Sequence, residues 1–236
     1  MARQPLLPVY RNATCTMGPQ QIEARPEHVA IIGKCMTYWP EVLHQQALLL
    51  GLFLGVRSEG ALAVFSTLQN AAARRAAIFA AADLSLKTEK DLDLLSAVMN
   101  IIGSAEKERN DLAHGCFGIS KDIPDGILWI ASKDIGTWQA SIIFKPSAAA
   151  SDGDYTKLAN LLYVYKKQDL ERIYDQIAET WGIIHHLLIY VDERQRAAET
   201  LSPVSDRLYD LLIAAPRVGE ALAQIAEGKK KQQPQS

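Results

Sequence analysis

Arg109, Asn110 and His114 are the residues of this chain whose types and spacing are best suited to chemistry, and we call them the Arg–His group. An arginine can neutralise the charge that builds up on phosphate oxygens, and a histidine can exchange a proton near neutral pH. On a helix, Asn110 and His114 share one face, whereas Arg109 lies about 140° from His114 around the axis. The group therefore indicates phosphoryl transfer in a cleft that the arginine and the histidine both border.

Glu106 and Asp111 are the acidic residues that could support this group. Glu106 lies three residues before Arg109 and one turn before Asn110, so its carboxylate could hold the guanidinium in place. The same residues have a structural interpretation, in which Arg109 forms a buried ion pair with Glu106. A histidine near the end of a helix is also a common cap, so the spacing by itself leaves both interpretations open.

One long amphipathic helix is expected to position the group. Residues 88–91, Thr-Glu-Lys-Asp, resemble a capping box with Asp in place of the usual Glu. Apolar residues then recur every three or four positions over residues 92–105, and the same spacing continues to Arg109. Gly115 supplies a helix stop. The Arg–His group is therefore expected in the last turns of this helix.

Further helices are predicted on both sides of it. A helix that begins at Pro26 is expected to break or kink at Trp39, because Pro40 disfavours a helical residue before it. A second helix then runs from Pro40 to about Gly55. The later helices are expected over residues 168–191 and from residue 205 onwards, with an interruption at residue 216.

A β-hairpin is predicted after the Arg–His group. Residues 127–132 and 137–144 have the pattern of strands, and residues 133–136 have the composition of the turn between them. Trp129 and Trp138 would then lie on facing strands, as a cross-strand or core pair rather than a platform for stacking bases.

Together these patterns predict a mainly α fold, a helical bundle with a short antiparallel β-hairpin inserted after the helix that carries the group. Residues 1–25 are interpreted as an N-terminal arm or irregular lead-in. Residues 26–228 are interpreted as a single helical domain with the β insertion at about residues 117–145. Residues 229–236 are interpreted as a basic, flexible tail.

Composition narrows the function classes. The chain has 236 residues, 48% hydrophobic and 22% charged, with a formal net charge of -2, which is typical of a globular protein without a global attraction to nucleic acid. Three scattered cysteines and no evident signal peptide or membrane span indicate a cytoplasmic protein. His185 and His186 lack acidic or cysteine partners at ligand spacing, so no metal is expected. The sequence has no glycine-rich phosphate loop and no dinucleotide fingerprint, so no cofactor is expected.

Residues 108–115, Glu-Arg-Asn-Asp-Leu-Ala-His-Gly, resemble the signature of the HEPN superfamily, the higher eukaryotes and prokaryotes nucleotide-binding domains. That signature is an arginine, often followed by a polar residue such as Asn, with a histidine four to six residues further on. Here the spacing is Arg-x4-His, Asn110 fills the polar position, and the likeness covers about residues 40–192.

The resemblance implies a helical core that dimerises, with two copies of the group facing each other in one metal-independent endoribonuclease site. His114 would move a proton to or from the RNA, Arg109 would stabilise the pentacoordinate phosphate, and Asn110 would orient one of them. Such members often act in toxin–antitoxin or antiviral defence, where an antitoxin or another regulatory protein is a partner. Other members have lost catalysis, so the alternative is a non-catalytic helical dimer that binds a nucleotide, RNA or a protein.

Overall fold

The computed structural model describes residues 3–7, 9–10, 13–56, 58–144, 152–196 and 203–232. The chain divides into two compact units. The first, which we call the sheet unit, is Met1–Thr37 with Lys107–Gln176, and the second, the helical unit, is Tyr38–Glu106 with Ile177–Ser236. The fold is mainly helical with a small antiparallel sheet, as the sequence predicts.

The α-helices are α1 (Pro26–Leu54), α2 (Ser58–Thr67), α3 (Ala71–Ser85), α4 (Glu89–Ala113), α5 (Ser132–Phe144), α6 (Asp152–Ala159), α7 (Lys167–Arg196), α8 (Pro203–Ala214) and α9 (Pro216–Gln232). The strands are β1 (Gln4–Pro5), β2 (Thr16–Met17), β3 (Gly115–Ile119), β4 (Gly126–Ala131) and β5 (Tyr163–Lys166), and a short 3-10 helix covers Pro19–Ala24.

Within the described residues of the sheet unit, the strands form one antiparallel sheet in the order β1-β5-β4-β3-β2. Phe117 of β3 pairs with Trp129 of β4, which in turn pairs with Tyr163 of β5. Because side chains alternate between the faces of a strand, these three rings lie on one face. Leu128 and Val164 lie on the other face and belong to an apolar cluster that also contains residues from α5 and α6.

The predicted hairpin is correct in its first strand and wrong in its second. Residues 126–131 form β4, but residues 132–144 form α5 instead of a turn and a strand. β4 pairs instead with β3, which follows the Arg–His group directly, and with β5. Trp138 therefore lies on a helix and belongs to the apolar cluster on the face opposite Trp129, so the two rings are not a cross-strand pair.

The predicted break at Trp39 is not present, and residues 40–54 are not a separate second helix. α1 continues as one helix through Pro40, which is exposed, while Trp39 and Val42 are buried. A proline inside a helix removes one hydrogen bond and crowds the preceding turn. Burial of Trp39 and Val42 stabilises the continuous helix by roughly 2 kcal/mol for each side chain, which offsets the free-energy cost of the proline.

The N- and C-terminal segments are more regular than expected. Within the predicted arm, β1 and β2 form the two edges of the sheet. α8 and α9 meet at Pro216, as predicted, but α9 continues through Gln232, so residues 229–232 are helical rather than part of a flexible tail. Lys229 forms ion pairs with Glu89 and Asp93 there. Residues 145 and 233–236, also included in the predictions, lie outside the described residues.

In the helical unit, α4 begins at the predicted capping-box residues, and the Thr88 half of the box is formed. The Asp91 backbone N–H donates to Thr88 Oγ1 at 3.2 Å, and the Thr88 hydroxyl donates to the Asp91 carboxylate at 2.6 Å. These bonds fix the first turn of the helix that carries the Arg–His group at its other end.

No single helix among the described residues is both long and apolar enough to cross a membrane, although α1 and α2, bent at their junction, pass that test as a pair by length and composition only.

Candidate functional site

The Arg–His group lies where helix gives way to strand. α4 ends at Ala113, His114 forms a turn, and β3 begins at Gly115. The His114 backbone N–H donates to the Asn110 carbonyl at 2.9 Å, which extends the helical hydrogen-bond pattern by one residue. The histidine is therefore attached to the last turn of the helix, as the sequence predicts, and Asn110 and His114 lie one above the other on it.

Arg109 and Asn110 are joined by their side chains. Arg109 Nη1 donates to Asn110 Oδ1 at 2.8 Å, and both residues are half-buried. Arginine side chains have many rotamers, so a bond to the neighbouring amide restricts where the guanidinium points. The structure thus assigns Asn110 a partner within the group, and that partner is the arginine.

His114 itself is exposed, but its backbone is held firmly. Its carbonyl oxygen accepts hydrogen bonds from the Ser132 backbone N–H, at 3.2 Å, and from the Ser132 hydroxyl. Ser132 is the first residue of α5, so the carbonyl is satisfied by the start of the next helix. An imidazole that is open to solvent on a fixed backbone is suited to exchange protons with a ligand.

Asp111 faces a different set of partners. Its carboxylate pairs with the Arg3 guanidinium, with 3.2 Å between Oδ2 and Nη1, and its carbonyl accepts a hydrogen bond from the Trp129 indole N–H at 2.8 Å. Asp111, predicted as a supporting residue, therefore connects the end of α4 to the sheet. Arg3 carried no sequence signal for this role, because the residues are 108 positions apart in the chain.

Gly115 is required for a reason other than the predicted helix stop. A Cβ atom added at this position would lie 1.7 Å from Trp129 Nε1, closer than any real contact. The positive-φ glycines are Gly18 and Gly55, so Gly115 does not use the left-handed conformation of a helix C-cap. The missing side chain instead leaves room for the Trp129 indole to reach the Asp111 carbonyl.

The carboxylates next to Arg109 are matched by other arginines. Glu108 pairs with Arg172 of α7 at 3.3 Å, just as Asp111 pairs with Arg3. Tyr165 lies on the same face of the sheet as Tyr163. Burial raises the pKa of Tyr165 to about 12, although Arg3 acts to lower it. These pairs reduce the negative field that would otherwise oppose an anionic ligand near Arg109.

Glu106 is half-buried one turn before Asn110. Its predicted pairing with Arg109 stays a prediction, and so do the catalytic and supporting roles of the group.

In the part of the chain that the structure describes, no group of three or more His, Cys, Asp or Glu side chains is arranged to hold a metal ion. His185 stacks on Trp181, with 5.4 Å between the ring centres.

The chain was compared with protein-family models, with curated proteins and with solved structures, and no match was found in any of the three comparisons.

Proposed function

We propose that this protein is a metal-independent endoribonuclease of the HEPN type, in which the Arg–His group cleaves RNA by attack of a ribose 2′-hydroxyl. The observation that carries the proposal is that His114 is exposed on a fixed backbone, one helical turn from the joined Arg109 and Asn110 side chains. This combination supplies a proton carrier and a cation to the same end of one helix.

The reaction assigns one task to each residue. A histidine takes the proton from the 2′-hydroxyl, the 2′ oxygen attacks the phosphorus, and the bond from phosphorus to the 5′ oxygen breaks. Arg109 stabilises the extra negative charge on the phosphate oxygens as the attack proceeds. Asn110 orients Arg109 through their hydrogen bond. The products are a 2′,3′-cyclic phosphate and a 5′-hydroxyl, and the latter needs a proton from an acid.

This demand for both a base and an acid favours two copies of the chain. One Arg–His group holds one histidine, so His114 of a second copy is the natural donor of the proton to the leaving 5′ oxygen. We therefore propose a homodimer in which the two groups share one cleft. A composite site of this kind also brings two arginines to the same phosphate, which strengthens the stabilisation of its charge.

A function in binding without cleavage is the second candidate. It is favoured by the bond between Arg109 Nη1 and Asn110 Oδ1, because part of the guanidinium's donor capacity is used within its own helix. The same group would then hold the phosphate of a nucleotide or of RNA without advancing the reaction. RNA bound without being cut, with affinity lost in Arg109→Ala, would support this alternative.

The test is an RNA cleavage assay with purified protein in EDTA. We expect cyclic phosphate ends, and a loss of about 100-fold or more in rate for both Arg109→Ala and His114→Ala. His44→Ala is the matched control, since His44 is also an exposed histidine on a helix. Full activity in either variant of the group would overturn the proposal.

A mixing experiment tests the shared cleft. Wild-type and His114→Ala proteins are unfolded, mixed and refolded together. Cleavage is expected to fall below that of the same two proteins mixed without unfolding, because a mixed dimer has a single His114 and therefore lacks either the base or the acid. Equal cleavage in the two mixtures, with mixed dimers shown to be present in the refolded one, would contradict the composite site.

A further inference from the structure

We propose that Arg3 is a positioning residue for the Arg–His group, and that it acts by clamping the end of α4 onto the sheet. We call Arg3, Asp111, Trp129 and Tyr163 the Arg3 clamp. The effect on cleavage rests on the proposed function, whereas the effect on the backbone around His114 does not.

Arg3 contacts two aromatic rings and one carboxylate within the sheet unit. Its guanidinium carbon lies 4.0 Å from the centre of the Trp129 ring and 4.7 Å from that of Tyr163, within the range of cation–π attraction. The two rings meet edge to face, 5.8 Å apart. The third partner is the Asp111 carboxylate, at 3.2 Å. The Arg3 side chain is only 20% exposed, so these attractions are weakly screened by solvent.

Trp129 links the clamp to the backbone on both sides of His114. Its indole N–H donates to the carbonyl of Asp111, three residues before the histidine, and its ring occupies the space left by Gly115, the residue after it. Arg3 packs against that same ring and holds the side chain of Asp111 as well. The segment that carries His114 is therefore fixed at both ends by one tryptophan and one arginine.

Arg25 provides a contrast within the same unit. Its side chain donates to the carbonyls of Gly126, Ser120 and Ile123 at 3.2–3.4 Å, in the turn between β3 and β4. Arg3 and Arg25 thus come from the same N-terminal region and hold opposite ends of the β3–β4 hairpin. Only the Arg3 end contains the Arg–His group. A general loss of stability should follow from removing either arginine, but a change at His114 should follow only from removing Arg3.

The experiment compares Arg3→Gln, Arg3→Lys and Arg25→Gln in the full chain. Amide hydrogen exchange is measured by NMR for residues 112–116, together with the signal of the Trp129 indole N–H. For Arg3→Gln we expect about tenfold faster exchange around His114, the loss expected when an ion pair and a cation–π contact are removed. Arg3→Lys, which keeps the charge, should restore part of the protection. Arg25→Gln should leave these amides unchanged.

Cleavage kinetics supply the second readout. Arg3→Gln should lower kcat by about tenfold with little change in KM, because a displaced proton donor affects the transition state more than RNA binding. Arg3→Lys should again recover part of the loss. Wild-type exchange rates in folded Arg3→Gln, or equal acceleration in Arg25→Gln, would overturn the clamp. If the wild-type protein does not cleave RNA, the proposed function fails, and the exchange data alone still decide whether the clamp exists.

Discussion

The two ends of α4 hold their polar residues in opposite ways. At the N-terminal end, Asp91 is only 4% exposed, and its carboxylate accepts hydrogen bonds from Thr88, Tyr190 and Arg194. At the C-terminal end, His114 is exposed, and its described hydrogen bonds involve the backbone rather than the ring. One end therefore binds its polar side chain within the protein, and the other end presents its polar side chain to solvent.

This difference separates a structural site from a candidate chemical site. Burial acts to raise the pKa of Asp91, but the hydrogen bonds from Thr88, Tyr190 and Arg194 outweigh it and hold that pKa below its ordinary value. A charged carboxylate with this many donors is stable and has little capacity left for a ligand. A cluster of polar residues is thus not by itself evidence of a site. Exposure of the reactive atoms on a fixed backbone is the more useful criterion.

The largest expected effect comes from removing the buried carboxylate at the N-terminal end of α4. Asp91→Ala should lower the free energy of unfolding by about 3 kcal/mol, because it leaves the buried Tyr190 hydroxyl and the Arg194 guanidinium without their acceptor. Urea denaturation measures the loss. Asp93→Ala is the control, since Asp93 is more exposed and pairs with Lys229 at the surface, so its effect should be much smaller. Loss of RNA cleavage in a folded Asp91→Ala protein would remove the distinction between the two ends.

A smaller effect is expected at the C-terminal end, from Gly115→Ala. The new Cβ would collide with the Trp129 indole, and overpacking of this kind costs about 2 kcal/mol. The same substitution should alter the environment of His114, which the NMR signals of its ring would report. Gly33→Ala is the matched control, because Gly33 is exposed in α1 with no heavy atom near the added Cβ. An equally well-tolerated alanine at both positions would show that the indole is not held over Gly115.

The sequence was a good guide to α4 and a poor guide to α5. The Thr88 cap, the apolar stripe and the position of the Arg–His group near the helix end are local properties, and the structure has each of them. Residues 137–144 alternate between polar and apolar types well enough to imitate a strand. In the structure they are helical, and Trp138 and Ile135 pack on the apolar cluster. Packing against the sheet decided this segment, and its local pattern did not.

The surroundings of the group depend on contacts between distant parts of the chain. Arg3 pairs with a residue 108 positions away, and Arg172 is 64 positions from Glu108. Pattern analysis cannot find such pairs, because neither arginine lies in a recognisable motif. The role of Trp129 likewise depends on the pairing of β3 with β4, which places Gly115 beside the indole.

The smallest expected effect is a difference in pH dependence between the two units. In the sheet unit, His28 is 6% exposed, and its Nε2–H donates to the Asp125 carbonyl at 3.2 Å. Burial lowers the pKa of His28 below its ordinary value of 6.5, with Arg25 and Lys167 acting in the same direction and the Asp125 carbonyl and Glu27 against it.

Proton binding determines whether the stability of the sheet unit rises or falls with pH. Below pH 6.5 the unfolded chain protonates His28 more readily than the folded chain does, so stability falls as the pH is lowered through this range. The pKa of Asp91 is also lowered, but from 3.8, so its contribution is lost only at much more acidic pH. Amide exchange between about pH 7.5 and about pH 5, corrected for the intrinsic rate, should therefore show a loss of protection in the sheet unit and not in the helical unit. His28→Gln should remove that loss, and a loss that persists in this variant would show that another group causes it.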